Sequence, residues 1–192
     1  MSPADFKLVV DRLLQTEWGD DDIAWSEAIT MPATAEDFAQ EAIFVICNGG
    51  MKFATARKIY DRVMAALDAG RPAFDGLRNV GKSKAIDKIW NERAQLYADL
   101  QTTADLVEFC GGLPYIGKIT KYHLAKNFGA QVAKPDVHLQ RLADHAGCTA
   151  QALCERLAVD SGFKVATVDV LLWRACAVGI IDSRSGLLAG AA

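Results

Sequence analysis

Apolar residues recur along this chain at spacings of three and four, and the strict apolar–polar alternation of a half-buried strand is nearly absent. From Ala4 to Gln15 the stripe is Phe6, Val9, Val10, Leu13 and Leu14, which predicts a helix with one face in a core. The stretch from Glu17 to Thr34, with its acidic run Asp20-Asp21-Asp22, interrupts that spacing and reads as a loop. Thr34 followed by acids is a helix cap, so a helix is expected from there to about Cys47, stopped by Asn48-Gly49-Gly50. Further helices are expected over Lys52 to Leu67, Ser83 to Leu100, Ala104 to Cys110 capped by Thr103, Asp136 to Ala146, Ala150 to Val159 and Lys164 to Val178. A shorter segment is expected at about Phe74 to Arg78, and a loosely held tail from Ser183 to Ala192. The fold class is all-α, with strand content near zero.

With 192 residues, 51% of them hydrophobic, the chain can bury one good core or two smaller lobes. No apolar run approaches the roughly 18 to 20 residues of a membrane span. The start Met1-Ser2-Pro3-Ala4-Asp5 lacks the basic and apolar regions of a secretory signal. A cytoplasmic protein without a membrane partner is expected, and no obligate protein partner is evident. The cysteines Cys47, Cys110, Cys148, Cys154 and Cys176 form no CxxC pair and have no histidine at zinc spacing. Cys148 and Cys154 are a fragment of an iron–sulfur spacing that lacks two further ligands. Buried free thiols, no metal and no cofactor are expected.

The net charge of −3 conceals an asymmetry. Residues 1–41 hold ten acids and two bases, giving −8; residues 48–100 hold ten bases and six acids, giving +4; residues 113–145 hold five bases and two acids, giving +3. A mildly acidic chain built this way can still present a positive face to phosphate, although such asymmetry also occurs in proteins that never touch DNA.

The most informative stretch is Leu113-Pro114-Tyr115-Ile116-Gly117-Lys118-Ile119-Thr120, which joins two short helices through a tight turn. The N–H groups that open the second helix point outward unpaired, and with Lys118 and Lys121 beside them they form a phosphate site that reads no base sequence. The same pattern also serves as a plain turn between packed helices. Tyr122 to Phe128 continues the helix, Gly129 closes it, and Lys134-Pro135-Asp136-Val137-His138 begins another. Asp136 lies 19 residues after Gly117. A helix of about a dozen residues, running about 18 Å, and a short return loop are expected to bring its carboxylate back toward the hairpin.

A hairpin of the form LPxxG, followed about twenty residues later by an aspartate that opens a helix as PDVHLQRL, resembles the helix-hairpin-helix superfamily of DNA glycosylases. Endonuclease III and the adenine-mismatch and alkyladenine glycosylases belong to that superfamily. Phe38 to Tyr60 resembles its helix-loop-helix that supplies strand-invading residues, Val80-Gly81-Lys82-Ser83-Lys84-Ala85 its glycine turn, and Gly162-Phe163-Lys164 through Trp173 a late helix. The resemblance covers residues 34 to 180 and implies a two-lobed helical fold. One lobe is expected at about 34–125, with the helix-hairpin-helix at about 105–128, and the other from about 1–33 with 130–182.

The resemblance implies double-stranded DNA as partner and base excision from a flipped nucleotide as activity, with Asp136 as the catalytic carboxylate. Asn48 would read the widowed base, Met51 would be the wedge and Lys52 would hold phosphate, while Gly117, Lys118, Thr120 and Lys121 would grip the backbone. Trp25 and Glu41 would belong to the base pocket, Trp25 by stacking and Glu41 as a proton donor to the leaving base. The position of the lyase members' Schiff-base lysine is Ile119, which points to hydrolysis by water without strand cleavage. Tyr115 stands where the family usually has the first hairpin glycine, and a tyrosine resists positive φ. From local sequence, Asp136 is equally a helix cap, Asn48-Gly49-Gly50 a helix stop, and Trp25, Trp90 and Trp173 core residues. His123, His138 and His145 receive no role. A non-catalytic DNA-binding module and an enzyme acting on a hypermodified phage-type base in defence are the competing readings.

Overall fold

The structure, a computed structural model, describes residues 1–189. The described chain is all-α, with ten α-helices and one two-residue strand pair. It divides into two compact units: unit 1 is Met1–Thr30 with the chain from Gly129 onward, and unit 2 is Met31–Phe128.

Unit 1 contains α1 (Pro3–Leu13), α2 (Gly19–Ala28), α8 (Val137–His145), α9 (Ala150–Ser161), α10 (Val165–Ala177) and the strands β1 (Ile181–Asp182) and β2 (Leu187–Leu188). Its centre is α10, which packs on α1, α2, α8 and α9. That position explains why α10 is apolar around most of its circumference, with Val168, Leu171 and Leu172 fully buried. Phe6, Val9 and Leu13 of α1, Leu139 of α8 and Leu153 and Leu157 of α9 complete the core.

The stretch expected as a loop from Glu17 to Thr34 contains α2. Its inward residues are Gly19, Asp22 and Ser26, so no apolar stripe announces it. The acidic run instead fills its first turn, where the helix dipole favours negative charge. A Cβ on Gly19 would lie 2.4 Å from the carbonyl oxygen of Leu13, so only glycine allows the helix to start against α1. Asp22 is clamped by Arg174 of α10 through bonds of 2.6 and 3.1 Å.

The tail is likewise more ordered than expected up to Ala189, beyond which it lies outside the described residues. β1 and β2 pair antiparallel. His138 Nδ1 and Ser183 Oγ share a 2.9 Å hydrogen bond, and His145 Nε2 donates to the Arg184 carbonyl at 2.9 Å, so two histidines of α8 hold the strand pair.

Unit 2 contains α3 (Ala35–Asn48), α4 (Phe53–Asp68), α5 (Val80–Thr102), α6 (Leu106–Gly112) and α7 (Thr120–Asn127), with a 3₁₀ turn at Ala73–Asp75. Phe38, Ile43 and Ile46 of α3 and Ile86 and Ile89 of α5 are fully buried, and the Phe38 and Phe128 ring centroids lie 5.4 Å apart. The helix expected from Ser83 begins at Val80, because Asn79 Oδ1 accepts the Lys82 N–H at 3.0 Å and caps it there. The cap of α6 is Asp105, whose Oδ1 accepts from Val107 and Glu108, so the helix begins two residues later than a Thr103 cap predicts. α7 has eight residues, about 12 Å, instead of the expected dozen, and the connection to Asp136 is correspondingly longer.

Candidate functional site

Three turns of unit 2 lie side by side at one end: the α3–α4 turn, the start of α5 and the α6–α7 turn. Lys82 Nζ donates to the Gly49 carbonyl at 2.8 Å, joining the first two. The Tyr115 ring lies over Gly81, where a Cβ would be 3.0 Å from Cε2, joining the second to the third. Residues 47–60, 76–86 and 109–128 contain no aspartate or glutamate. Exposed Met51, Phe53, Val80, Tyr115 and Ile119 all belong to this end, and Met31 is the other exposed large apolar side chain of unit 2. Lys52, Lys84 and Lys118 are exposed and make no ion pair among the described residues. The N-termini of α4, α5 and α7 open here, those of α4 and α7 without a side-chain cap. Helix dipoles and cations of one sign, mixed with apolar side chains in solvent, favour a partner that is anionic outside and apolar within.

In the α6–α7 turn, buried Leu113 and Ile116 anchor the chain on either side of Tyr115. Tyr115 does adopt the conformation that tyrosine resists, at φ 66°. Such a residue costs on the order of 1–3 kcal/mol and persists only when its surroundings hold it. The N–H groups of Gly117, Lys118, Ile119 and Thr120 find no acceptor among the described residues, and Gly117 to Ile119 are exposed. Lys118 is free to meet an anion. Lys121 instead pairs with Glu108 and lies along Gly111, so its ammonium is committed within the hairpin, and the carboxylate holds it above the usual lysine value.

At the α3–α4 turn, Asn48 ends α3 and Met51 N–H returns to its carbonyl at 3.0 Å. Gly50 takes φ +76°, which frees the chain to reverse there. Met51 and Lys52 project into solvent. The residue missed from sequence is Lys82. Its place on the stripe Lys82, Ile86, Ile89 was the available signal, because a lysine in core register needs a buried partner.

Asp136 belongs to unit 1 and is the N-cap of α8. Oδ1 accepts from the N–H groups of His138 at 2.9 Å and Leu139 at 3.1 Å. Oδ2 receives no hydrogen bond among the described residues, and Lys134 Nζ lies 3.9 Å from it. The side chain is 16% exposed. The approach to it is tightly held: Ala133 N–H donates to Gln151 Oε1 and Lys134 N–H to buried Asp169 Oδ1, both at 2.7 Å, and Asp136 N–H returns to the Lys134 carbonyl at 2.7 Å. Asp169, charged within the apolar run of α10, was a readable signal that sequence reasoning passed over. Burial, reinforced by Asp136 and Asp182, pushes the Cys176 thiol up to about 11, so it stays neutral beside the carboxylate.

Of the two base-pocket candidates, Glu41 belongs to unit 2 and Trp25 to unit 1. Glu41 sits seven residues before Asn48 on α3, about 10 Å along the helix, and accepts from Asn127 Nδ2 at 2.6 Å. Burial raises its carboxyl above the ordinary value, against the opposing pull of that hydrogen bond. Trp25 is exposed on α2 of unit 1. Trp173 and Trp18 flank the Arg174 guanidinium at 5.0 and 4.4 Å, and Trp90 lies under Arg93 at 4.4 Å.

Among the described residues, no three His, Cys, Asp or Glu side chains gather as a metal centre requires, and no helix is long and apolar enough to cross a membrane. No protein-family model, curated protein or solved structure matches this chain.

Proposed function

We propose that this protein is a DNA N-glycosylase of the helix-hairpin-helix kind that excises a damaged or modified base by hydrolysis, without strand cleavage. The observation that carries the reading is the end of unit 2 where free amides, three helix N-termini, unpaired lysines and exposed apolar side chains meet, with the adjoining Glu108 paired to Lys121. Phosphates sit on helix N-termini and lysines without regard to sequence, while an apolar side chain fills the gap left when a nucleotide leaves the stack. Lys118 and the amides of 117–120 hold one phosphate, Lys52 another, and Met51 is the wedge. The pair α6–α7 is the helix-hairpin-helix.

Asp136 supplies the chemistry. Its Oδ1 is fixed by two backbone donors, which leaves Oδ2 to stabilise the positive charge that develops on the sugar or to take a proton from attacking water. The water oxygen bonds to C1′, the C1′–N bond breaks with its electrons passing to the base, and the base gains a proton. Ile119 offers no amine for a Schiff base.

The double cap made by Asp136 also favours a second reading, a DNA-binding module in which this residue only ends a loop. Asp136→Asn separates the two, because asparagine caps helices as well as aspartate does. Free bases released from duplexes carrying alkylated, oxidised, deaminated and hypermodified bases are measured with both proteins. The enzyme reading expects release by the wild type, a loss of about 10²–10⁴-fold in the variant, and retained duplex binding. No release from any substrate overturns it, and release from the hypermodified set alone selects the defence role.

A further inference from the structure

We infer that Lys82 is the positioning residue of the DNA-binding end, a buried ammonium that holds the α3–α4 turn in the shape that presents Met51 and Phe53. The inference rests on the function proposed above and adds a residue to it. Lys82 is 6% exposed and has no carboxylate partner among the described residues. Its Nζ lies 2.8 Å from the Gly49 carbonyl oxygen and 3.5 Å from that of Cys47. A helix leaves its last carbonyls without intrahelical donors, and the left-handed Gly50 after α3 does not supply them: its N–H reaches no α3 carbonyl among the described residues, and Met51 N–H reaches only that of Asn48. The lysine meets one of them, the Cys47 carbonyl, together with the first carbonyl beyond the helix, that of Gly49.

Its charge is answered by the negative end of the α3 dipole. The nearest ionisable group, the Cys47 thiol, is pushed up to about 11 by burial and carries no charge at neutral pH. Burial also lowers the Lys82 ammonium from its usual value, the cost of holding a cation inside the protein. Such a cost is retained for a purpose, and the geometry supplies two. One is mechanical: Gly50 at φ +76° has nothing within 4 Å of a Cβ, so no packing of its own holds the turn there. The other is electrostatic. α3 is the helix whose C-terminus enters this turn, and a cation on its carbonyls keeps their negative charge away from an approaching phosphate.

The test compares wild type, Lys82→Met and Lys82→Arg. Methionine keeps the volume and removes the charge; arginine keeps the charge. Amide hydrogen exchange is followed segment by segment, and binding of a duplex oligonucleotide is measured at fixed salt. Expected for Lys82→Met is exchange at 49–52 faster by about tenfold to a hundredfold, the loss that charge-assisted hydrogen bonds carry, with α4 and the interior of α5 protected as before. Duplex binding weakens by about tenfold, and Lys82→Arg recovers part of both. Unchanged exchange at 49–52 overturns the inference, as does a uniform loss of protection across α3, α4 and α5, or faster exchange with wild-type duplex affinity. If the wild type itself binds no duplex, the function proposed above fails, and the exchange result still decides whether Lys82 holds the turn.

Discussion

The end of unit 2 and the approach to Asp136 in unit 1 use backbone polarity in opposite ways. Four successive amides at 117–120 and those of Phe53 and Ala54 at the start of α4 find no acceptor among the described residues, and five large apolar side chains stand in solvent around them. In unit 1 the amides of Ala133, Lys134 and Asp136 are all engaged, two of them by side chains from α9 and α10, before Asp136 closes the series as a cap. On the proposed function, the end of unit 2 keeps its donors for the ligand and gives up stability to do so. On the same proposal, a carboxylate that stabilises developing charge must already be in place, which the several hydrogen bonds holding the chain before Asp136 would provide.

The sharpest break in this comparison is made at Asp136, where placement and charge can be removed separately. Asp136→Asn keeps a cap and loses the charge, so base release falls by about 10²–10⁴-fold while the thermal midpoint stays near wild type. Asp136→Ala loses both, and its stability falls by about 0.5–2 kcal/mol in denaturant unfolding. If the two variants release base equally slowly but differ in stability, charge and cap are separate contributions. Equal stability would show that the cap does not hold α8.

Next in size is the grip. Removing one lysine from a phosphate lowers the slope of log binding constant against log salt by about 0.9. Lys52→Met with Lys118→Met is therefore expected to lower it by about 1.8, measured by titrating a duplex at several salt concentrations. Lys121→Met is expected to leave the slope unchanged, because Glu108 already occupies that ammonium. A slope change in Lys121→Met equal to that of Lys118→Met would show that the Glu108 pair opens on binding.

How much of this was legible in the sequence follows from how each part is stabilised. α1, α3, α4 and α10 show as apolar stripes because burial of large side chains holds them. α2 escaped, since it is held by a close glycine approach and the Asp22–Arg174 clamp, which leave no periodic trace. The hairpin and the cap at Asp136 were readable from Pro, Gly and Asp at fixed spacings. Lys82 and Asp169 stand out in apolar register, but what each answers, a carbonyl or amide 33 and 35 residues away, leaves no local trace. Glu41 could be placed on its helix from sequence, but its partner Asn127, 86 residues away, could not.

The Glu41–Asn127 pair yields a pH signature within unit 2. Glu41 has its carboxyl raised in the folded protein by burial, so folding favours the protonated acid. Its contribution is fully present below the unfolded value, near 4.5, and is lost as pH rises through the folded value. Glu41→Gln removes the titration, and its amide can also donate to Asn127 Oδ1, a buried oxygen with no partner. Unfolding free energies of the two proteins should therefore diverge above pH 4.5, with glutamine gaining. Parallel profiles would mean that Glu41 is ionised in the fold.

The smallest expected effect concerns Tyr115, where the α6–α7 turn stores its strain. At φ 66° any side chain beyond glycine is strained by about 1–2 kcal/mol, while glycine adds freedom to the unfolded chain worth about 0.5–1 kcal/mol. Tyr115→Gly and Tyr115→Ala both remove the ring over Gly81, but only alanine keeps the strain. Glycine is therefore expected to be the more stable variant by up to about 1 kcal/mol, and the gap between tyrosine and alanine reports what the ring contributes. If alanine is the more stable, residue 115 is not left-handed in solution, and the turn that presents the amides of 117–120 has another shape. If the expected order holds and wild type exceeds both, the ring's packing on Gly81 offsets the strain, which makes the α5 start the support of the hairpin as well as of the α3–α4 turn.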